Sequence, residues 1–210
     1  MFGIIRIYYE EAVGSYNMKR CYSFCGTEKC GQFSAKLPDD AKITNLEMDD
    51  YLLKEKKFPC ELVLKPFKKK NVPPVVWHDY MYNEFAYFMV SKRLKEFLVE
   101  FSTKNDNIEW ISVNIRHNDI VKTYYVITFQ EVPDVLDLAN TTFLPNSDFL
   151  LVPCIAAEKA ENYSVFPLRM PHFPSLLHTT EKIKNELRKE KFSNLKFEKT
   201  KTSLNGVVMK

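Results

Sequence analysis

The chain has 210 residues, 45% of them apolar and 14% aromatic, which is ample material for one domain with a substantial core. Five glycines and eleven prolines are too few for a low-complexity or disordered chain. A net charge of +3, from 30 basic and 27 acidic residues, excludes the strong positive field of a dedicated nucleic-acid binder.

Arg6 interrupts the apolar N-terminal run, and no small-residue cleavage site follows it, so no secretory signal is expected there. The longest apolar run, residues 149–157, contains Pro153 and is too short to span a bilayer. Five cysteines, an odd number, suit reduced thiols better than a disulfide framework. The expectation is a cytoplasmic protein without a membrane segment.

Residues 4–9 read as a first strand, followed by a loop region containing cysteines and glycines. Residues 41–80 read as irregular, punctuated by Pro59, Pro66, Pro73 and Pro74, with Leu62-Val-Leu64 as a short strand. From about residue 85 the pattern sharpens. Tyr87-Phe-Met-Val90 has β character, and Ser91 follows as an N-cap whose hydroxyl can accept from an orphan amide of the first helical turn. Leu94, Phe97, Leu98 and Phe101 recur at i, i+3, i+4 and i+7 between charged residues, which predicts an amphipathic helix over 91–104.

Ile108-Glu-Trp-Ile-Ser-Val-Asn-Ile115 alternates, putting Ile111, Val113 and Ile115 on one strand face. Asn118 and Asp119 supply a turn, and Thr123-Tyr-Tyr-Val-Ile-Thr-Phe129 a second strand, continuously apolar enough to lie centrally. Together they predict an antiparallel hairpin. Pro133-Asp-Val-Leu-Asp-Leu138 is a loop entering a short extended segment. Residues 149–155 and 164–168 are further strands, with Pro153 and Pro167 marking edges or bulges. Thr179 or Thr180 caps a second helix reaching Lys191, with Ile183 and Leu187 inward, and Leu195-Lys-Phe-Glu198 closes as a strand. Ser91 to Leu98 aligns without gaps on Thr180 to Leu187, and each is followed by an apolar–charged–aromatic triplet. That pattern fits either a helix–strand repeat or convergent amphipathic patterning.

Candidate chemistry is sparse. Cys21-x3-Cys25-x4-Cys30, with Cys60 or His78 as a fourth ligand, could hold zinc, but neither spacing is that of a paired knuckle, and buried free cysteine is the plainer reading. Gly26 to Gly31 has the frame of a phosphate loop but carries Gln32 and Phe33 where lysine and a hydroxyl are required. Asp134 and Asp137 fit an Asx turn better than a catalytic pair. The basic stretch Lys65-Pro-Phe-Lys-Lys-Lys70 reads as a solvated loop, with RNA contact as the rival. Two stretches are candidates for partner binding: the acids Asp39, Asp40, Glu47, Asp49 and Asp50 beside Tyr51, and the cluster Trp77, His78 and Tyr80. Their bland readings are a solvated loop with a capping Asp and ordinary core rings.

The segment 85–198 resembles a family of immunity proteins from bacterial polymorphic-toxin and contact-dependent competition systems. The resemblance is carried by Val90-Ser-Lys-Arg-Leu-Lys-Glu-Phe-Leu98; by Ile108-Glu-Trp to Tyr124-Tyr-Val; by Val135-Leu-Asp-Leu138; and by Val165-Phe-Pro-Leu-Arg169 with residues 180–197. Pro167 within the Phe–Arg strand departs from the pattern, as does Asn194 where a glycine is expected before Leu195. The resemblance implies a single-domain, non-enzymatic protein without a cofactor that neutralises a cognate toxin made by the same cell. The resulting expectation is one α+β domain over 1–210, with a largely antiparallel sheet and at least two packing helices. Residues 1–85 form a less regular part and 86–210 the core. A zinc-dependent module built on Cys21, Cys25 and Cys30, and an RNA-binding module built on Lys65 to Lys70, are the rival readings.

Overall fold

A computed structural model describes residues 20–27, 33–67 and 72–209. The expected strand at 4–9, the phosphate-loop frame beyond Thr27, Cys30 and Lys68 to Lys70 lie outside the described residues.

The predicted hairpin is the longest feature of the sheets. Strands β5 (Ile108–His117) and β6 (Ile120–Phe129) pair antiparallel along their whole length, from Ile108 opposite Phe129 to His117 opposite Ile120. Asn118 makes the turn at φ 51°, a left-handed conformation that Asn tolerates better than most residues. Ile111, Val113 and Ile115 are buried while Ser112, Asn114 and Arg116 are exposed, as the alternation requires. Strands β2 (Phe33–Lys36), β3 (Leu62–Pro66) and β4 (Met89–Ser91) complete a five-stranded sheet in the order β2-β3-β5-β6-β4, parallel only between β3 and β5.

The second sheet corrects the sequence reading. The Cys-containing segment expected as loop is strand β1 (Cys21–Gly26). It lies inside a four-stranded antiparallel sheet ordered β10-β11-β1-β12, with β10 (Val165–Phe166), β11 (Leu177–Thr180) and β12 (Leu195–Lys199). An early strand is thus built on partners more than 150 residues away in the chain.

Helices follow two of these strands. Helix α2 (Lys92–Phe101) springs from β4, and Ser91 Oγ accepts from Leu94 N at 3.2 Å, the predicted cap. Helix α4 (Glu181–Lys189) springs from β11, but Thr180 makes no capping bond through its side chain, and Thr179 Oγ1 donates to Ser164 O at 2.7 Å instead. In each case strand, helix and next strand enclose one inserted antiparallel strand, β6 between β4 and β5, and β1 between β11 and β12. Both are split β-α-β units, so the sequence alignment of the two helices corresponds to a repeated topology. Each helix lies against the strand before it and against the inserted strand. Leu94, Phe97 and Leu98 from α2 join Ile183 and Leu187 from α4 in one core with Phe24, Phe88 and Phe129.

Residues 41–80, expected as irregular, contain helix α1 (Asn45–Glu55), which buries Met48 and Leu52 against the inner face of the five-stranded sheet. The strand expected over 149–155 is two pieces, β8 (Leu150–Val152), paired with β7 (Thr142–Phe143), and β9 (Ile155–Ala156). Pro153 between them has no N–H to give a ladder. A four-residue helix α3 (Ala157–Ala160) and strands β13 (Thr202–Leu204) and β14 (Val207–Val208) complete the described chain. β13 lies parallel to β9. Nearly all other pairings are antiparallel, and the fold class is α+β. No helix among the described residues is long and apolar enough to cross a membrane.

Leu98 and Leu187 are each 1% exposed. Truncating either to Ala leaves a cavity in the shared core and should cost about 2–5 kcal/mol. Urea midpoints at unchanged slope measure this. A loss near zero would mean that the stripes do not pack.

Candidate partner-binding site

The acidic stretch does not form one solvated loop. Thr44 and Glu47 make a capping box on α1: Thr44 N and Oγ1 donate to Glu47 Oε2 at 3.0 and 2.7 Å. These bonds hold the Glu47 carboxyl below the usual range. The Asp49 carboxylate accepts from the Tyr87 hydroxyl, which pins α1 to the strand side of the core. Burial, and then that bond, push the Tyr87 hydroxyl far up. Asp39 accepts from Lys65 Nζ at 2.6 Å, an exposed pair of little energetic weight. Asp40 and Asp50 are exposed.

Asp40 and Glu47 meet Ile43, Tyr51, Glu61 and Arg116 around an open groove of about 730 Å³. Glu61 is neutralised by Arg116, whose Nε lies 2.7 Å from its Oε1. What remains charged on the groove is Asp40, Glu47 and Lys42, beside Tyr51 and Ile43, a surface whose small acidic excess suits a basic group on an apolar stem. Asp39, Asp49 and Asp50 do not line it.

Trp77, His78 and Tyr80 lie elsewhere. Trp77 stacks on Tyr124 with centroids 6.2 Å apart, and Lys122 Nζ stands 5.2 Å over its ring. His78 is half-buried, and burial lowers its pKa. Tyr80 is 6% exposed, its ring against Phe88 and Tyr82 at 5.1 and 5.7 Å, so its side chain belongs to the core. Gly26 explains how it fits: a Cβ there would stand 2.3 Å from the Tyr80 ring. None of the three lines the acidic groove.

The residue between them was missed. Asp79 accepts from Ser91 Oγ at 2.7 Å, Arg93 Nη2 at 2.9 Å and Ser193 N at 2.8 Å. Burial raises its pKa, but these donors outweigh that and pull it down to about 2. No local signal marks it, because Asp79 stands 12 residues before the Ser91 cap and 114 before Ser193, and only the fold brings them together.

The zinc alternative fails on geometry. Cys21 and Cys25 are four residues apart on an extended strand, roughly 13 Å, too far to share one tetrahedral ion. No cluster of His, Cys, Asp or Glu among the described residues is arranged to hold a metal. Burial pushes the Cys21 thiol up to about 12, which keeps it an unreactive thiol. The Asx turn is present: Asp137 Oδ1 accepts from Asn140 N at 3.2 Å, while Asp134 pairs with Lys159 at 2.9 Å.

Sequence kinship decides the class of protein. A sequence model described as Immunity protein 43 matches residues 42–205, well over half of the chain. The chain belongs to the Immunity protein 43 family. The match reaches further toward the N-terminus than the resemblance read over 85–198, taking in α1, β3 and most of the groove-lining residues. Among curated proteins no relative is found.

Asn194, the departure from the expected glycine, has φ 66°, a left-handed conformation in which glycine costs nothing and asparagine little. Its side chain is put to use: Thr27 Oγ1 donates to Oδ1 at 2.9 Å, and Nδ2 donates to Tyr80 O at 3.0 Å.

Two groups should set the acid limb of the stability profile. Burial lowers His178 from 6.5 to about 4, so the unfolded chain binds the proton first, and stability falls as pH drops from about 6.5 toward 4, by up to about 3 kcal/mol. Asp79, shifted from 3.8 to about 2, contributes stability that is present above pH 3.8 and lost below it. Urea midpoints from pH 7 to pH 3 should show the first loss in the wild type and most of it removed in His178→Phe, the lowered His78 leaving a remainder of the same sign. A profile flat between pH 6.5 and 4 would contradict the buried, neutral imidazole.

Proposed function

We propose that this protein is a non-enzymatic cytoplasmic immunity factor that binds and neutralises a protein toxin made by the same cell, and that the groove between α1 and the Arg116 end of β5 contacts the toxin. The family membership over residues 42–205 carries the reading. The groove supports it, because it brings Asp40 and Glu47 together with the apolar faces of Ile43 and Tyr51 on an open surface. Acidic groups of this kind speed encounter with a basic partner and reject wrong ones, while the ring and the aliphatic side chain give buried contact area. The Trp77–His78 surface is the second place to look, since Lys122 over the Trp77 ring makes a half-buried cationic aromatic patch.

The test is co-expression and co-purification with the products of neighbouring genes. Asp40→Lys leaves the capping box and the Tyr87 anchor intact. It should slow toxin association about tenfold at low salt while urea stability is unchanged. Unchanged affinity would remove the groove from the interface and move the site to Trp77 and His78. Failure of the wild type to hold any such product would sink the immunity reading.

A further inference from the structure

A second cavity has a different chemistry. It measures about 310 Å³ and opens beside β8 and the segment that leads into β11. Leu150, Leu151, Met170 and Leu176 wall it, Arg169 is its one charged lining residue, and His178 supplies a polar ring. Leu151 is 50% exposed, Met170 67% and Leu176 40%, and Phe149, at 54%, lies under the Arg169 guanidinium at 3.9 Å. One exposed apolar side chain needs no explanation, but four around a single cavity mark a surface made to be covered.

His178 is what makes the cavity a site rather than a greasy dent. It is 4% exposed and its ring borders the cavity, while its Nδ1, enclosed by the fold, has no hydrogen-bond partner among the described residues. An unmade hydrogen bond on a buried polar atom is costly, and native structures keep few of them. Phe166 stacks on the ring at 6.0 Å, so packing fixes its plane. Burial keeps the ring neutral at physiological pH, with one nitrogen donating and one accepting. A hydroxyl can satisfy either.

The size narrows the occupant. At about 310 Å³, near the small end of the range of about 300–1,000 Å³ typical of ligand pockets, the cavity has room for one aromatic side chain. The charge narrows it further: an arginine at the mouth, with no acid among the lining residues, complements a carboxylate. We propose that this cavity receives a tyrosine side chain of a protein partner, its hydroxyl meeting His178, with an Asp or Glu beside that tyrosine against Arg169. Taking that partner to be the toxin rests on the reading above; the chemistry of the cavity does not.

The probe is the blocked dipeptide acetyl-Glu-Tyr-amide, titrated into ¹⁵N-labelled protein and followed by NMR. Acetyl-Glu-Phe-amide lacks the hydroxyl, and acetyl-Lys-Tyr-amide reverses the charge. The first should give saturable shifts confined to Leu151, Arg169, Met170, Leu176 and the His178 ring nitrogens, and each control should bind about fivefold more weakly. Leu176→Glu should abolish the shifts, and Arg169→Glu should reverse the preference between the Glu and Lys peptides. Both positions are exposed, so the urea midpoint should not move. Absence of saturation below about 10 mM, shifts spread over other surfaces, or a control binding as tightly as the probe would each overturn the proposal. No toxin is needed, so such a failure leaves toxin binding standing, and failure of toxin capture leaves the peptide result standing.

Discussion

One carboxylate holds the two halves of this fold together. Asp79 sits where the first β-α-β unit begins its helix, and its donors come from both units: Ser91 and Arg93 from the first, Ser193 from the connection that leads into β12 of the second. Arg93 adds to the junction by donating to Glu190 O at 3.2 Å and by covering the Phe192 ring at 4.1 Å. Burying an anion is expensive unless its lone pairs are filled, and here they are filled by groups that are 12 to 114 residues away in the chain. Beside that junction α2 and α4 turn their apolar stripes toward one shared core.

The second constraint is the place of β1. It lies between β11 and β12, so the strand near the N-terminus cannot pair until the last third of the chain has formed. This explains which elements were legible in the sequence. Helix α2, its Ser91 cap and the β5–β6 hairpin are specified by contacts within a few residues, namely an i, i+3, i+4 stripe, a hydroxyl at the cap, and alternation around Asn118. β1 has no such signal. Cys-Tyr-Ser-Phe-Cys-Gly neither alternates nor runs apolar, and its strand character comes from distant neighbours on both sides. Helix α1 is a different case. Thr44-x-x-Glu47 with Met48 and Leu52 four apart is a readable capping box and stripe, but the acids around it and the 93% exposed Leu46 obscure the pattern.

The candidate surfaces were legible in the same uneven way. Acidity flagged the stretch, and local bonding sorted its members: Asp39 went to a lysine and Asp49 to a tyrosine hydroxyl, which left Asp40 and Glu47 on the groove. The aromatic cluster was flagged for its rings, yet its clamp is the aspartate between them. The cavity at His178 carries no motif at all. Its walls come from three chain segments interrupted by Pro153, Pro167, Pro171 and Pro174, and only the folded chain brings them around one space.

On the proposed function, the two surfaces would divide the work of a neutralising protein. Exposed acids act at a distance, within roughly a Debye length of about 8–10 Å, and mainly raise the rate of correct encounter. An apolar cavity bordered by a buried histidine acts only on contact, where a filled pocket slows dissociation. Both are mounted on elements with little freedom to move. The groove stands on a helix fixed by its capping box and by Tyr87, and His178 stands on β11, which has a strand on each side. Binding to such preformed surfaces orders few side chains, so more of each contact appears as affinity. On that proposal, the pinning of α1 and the placing of β11 inside a sheet serve recognition as well as folding.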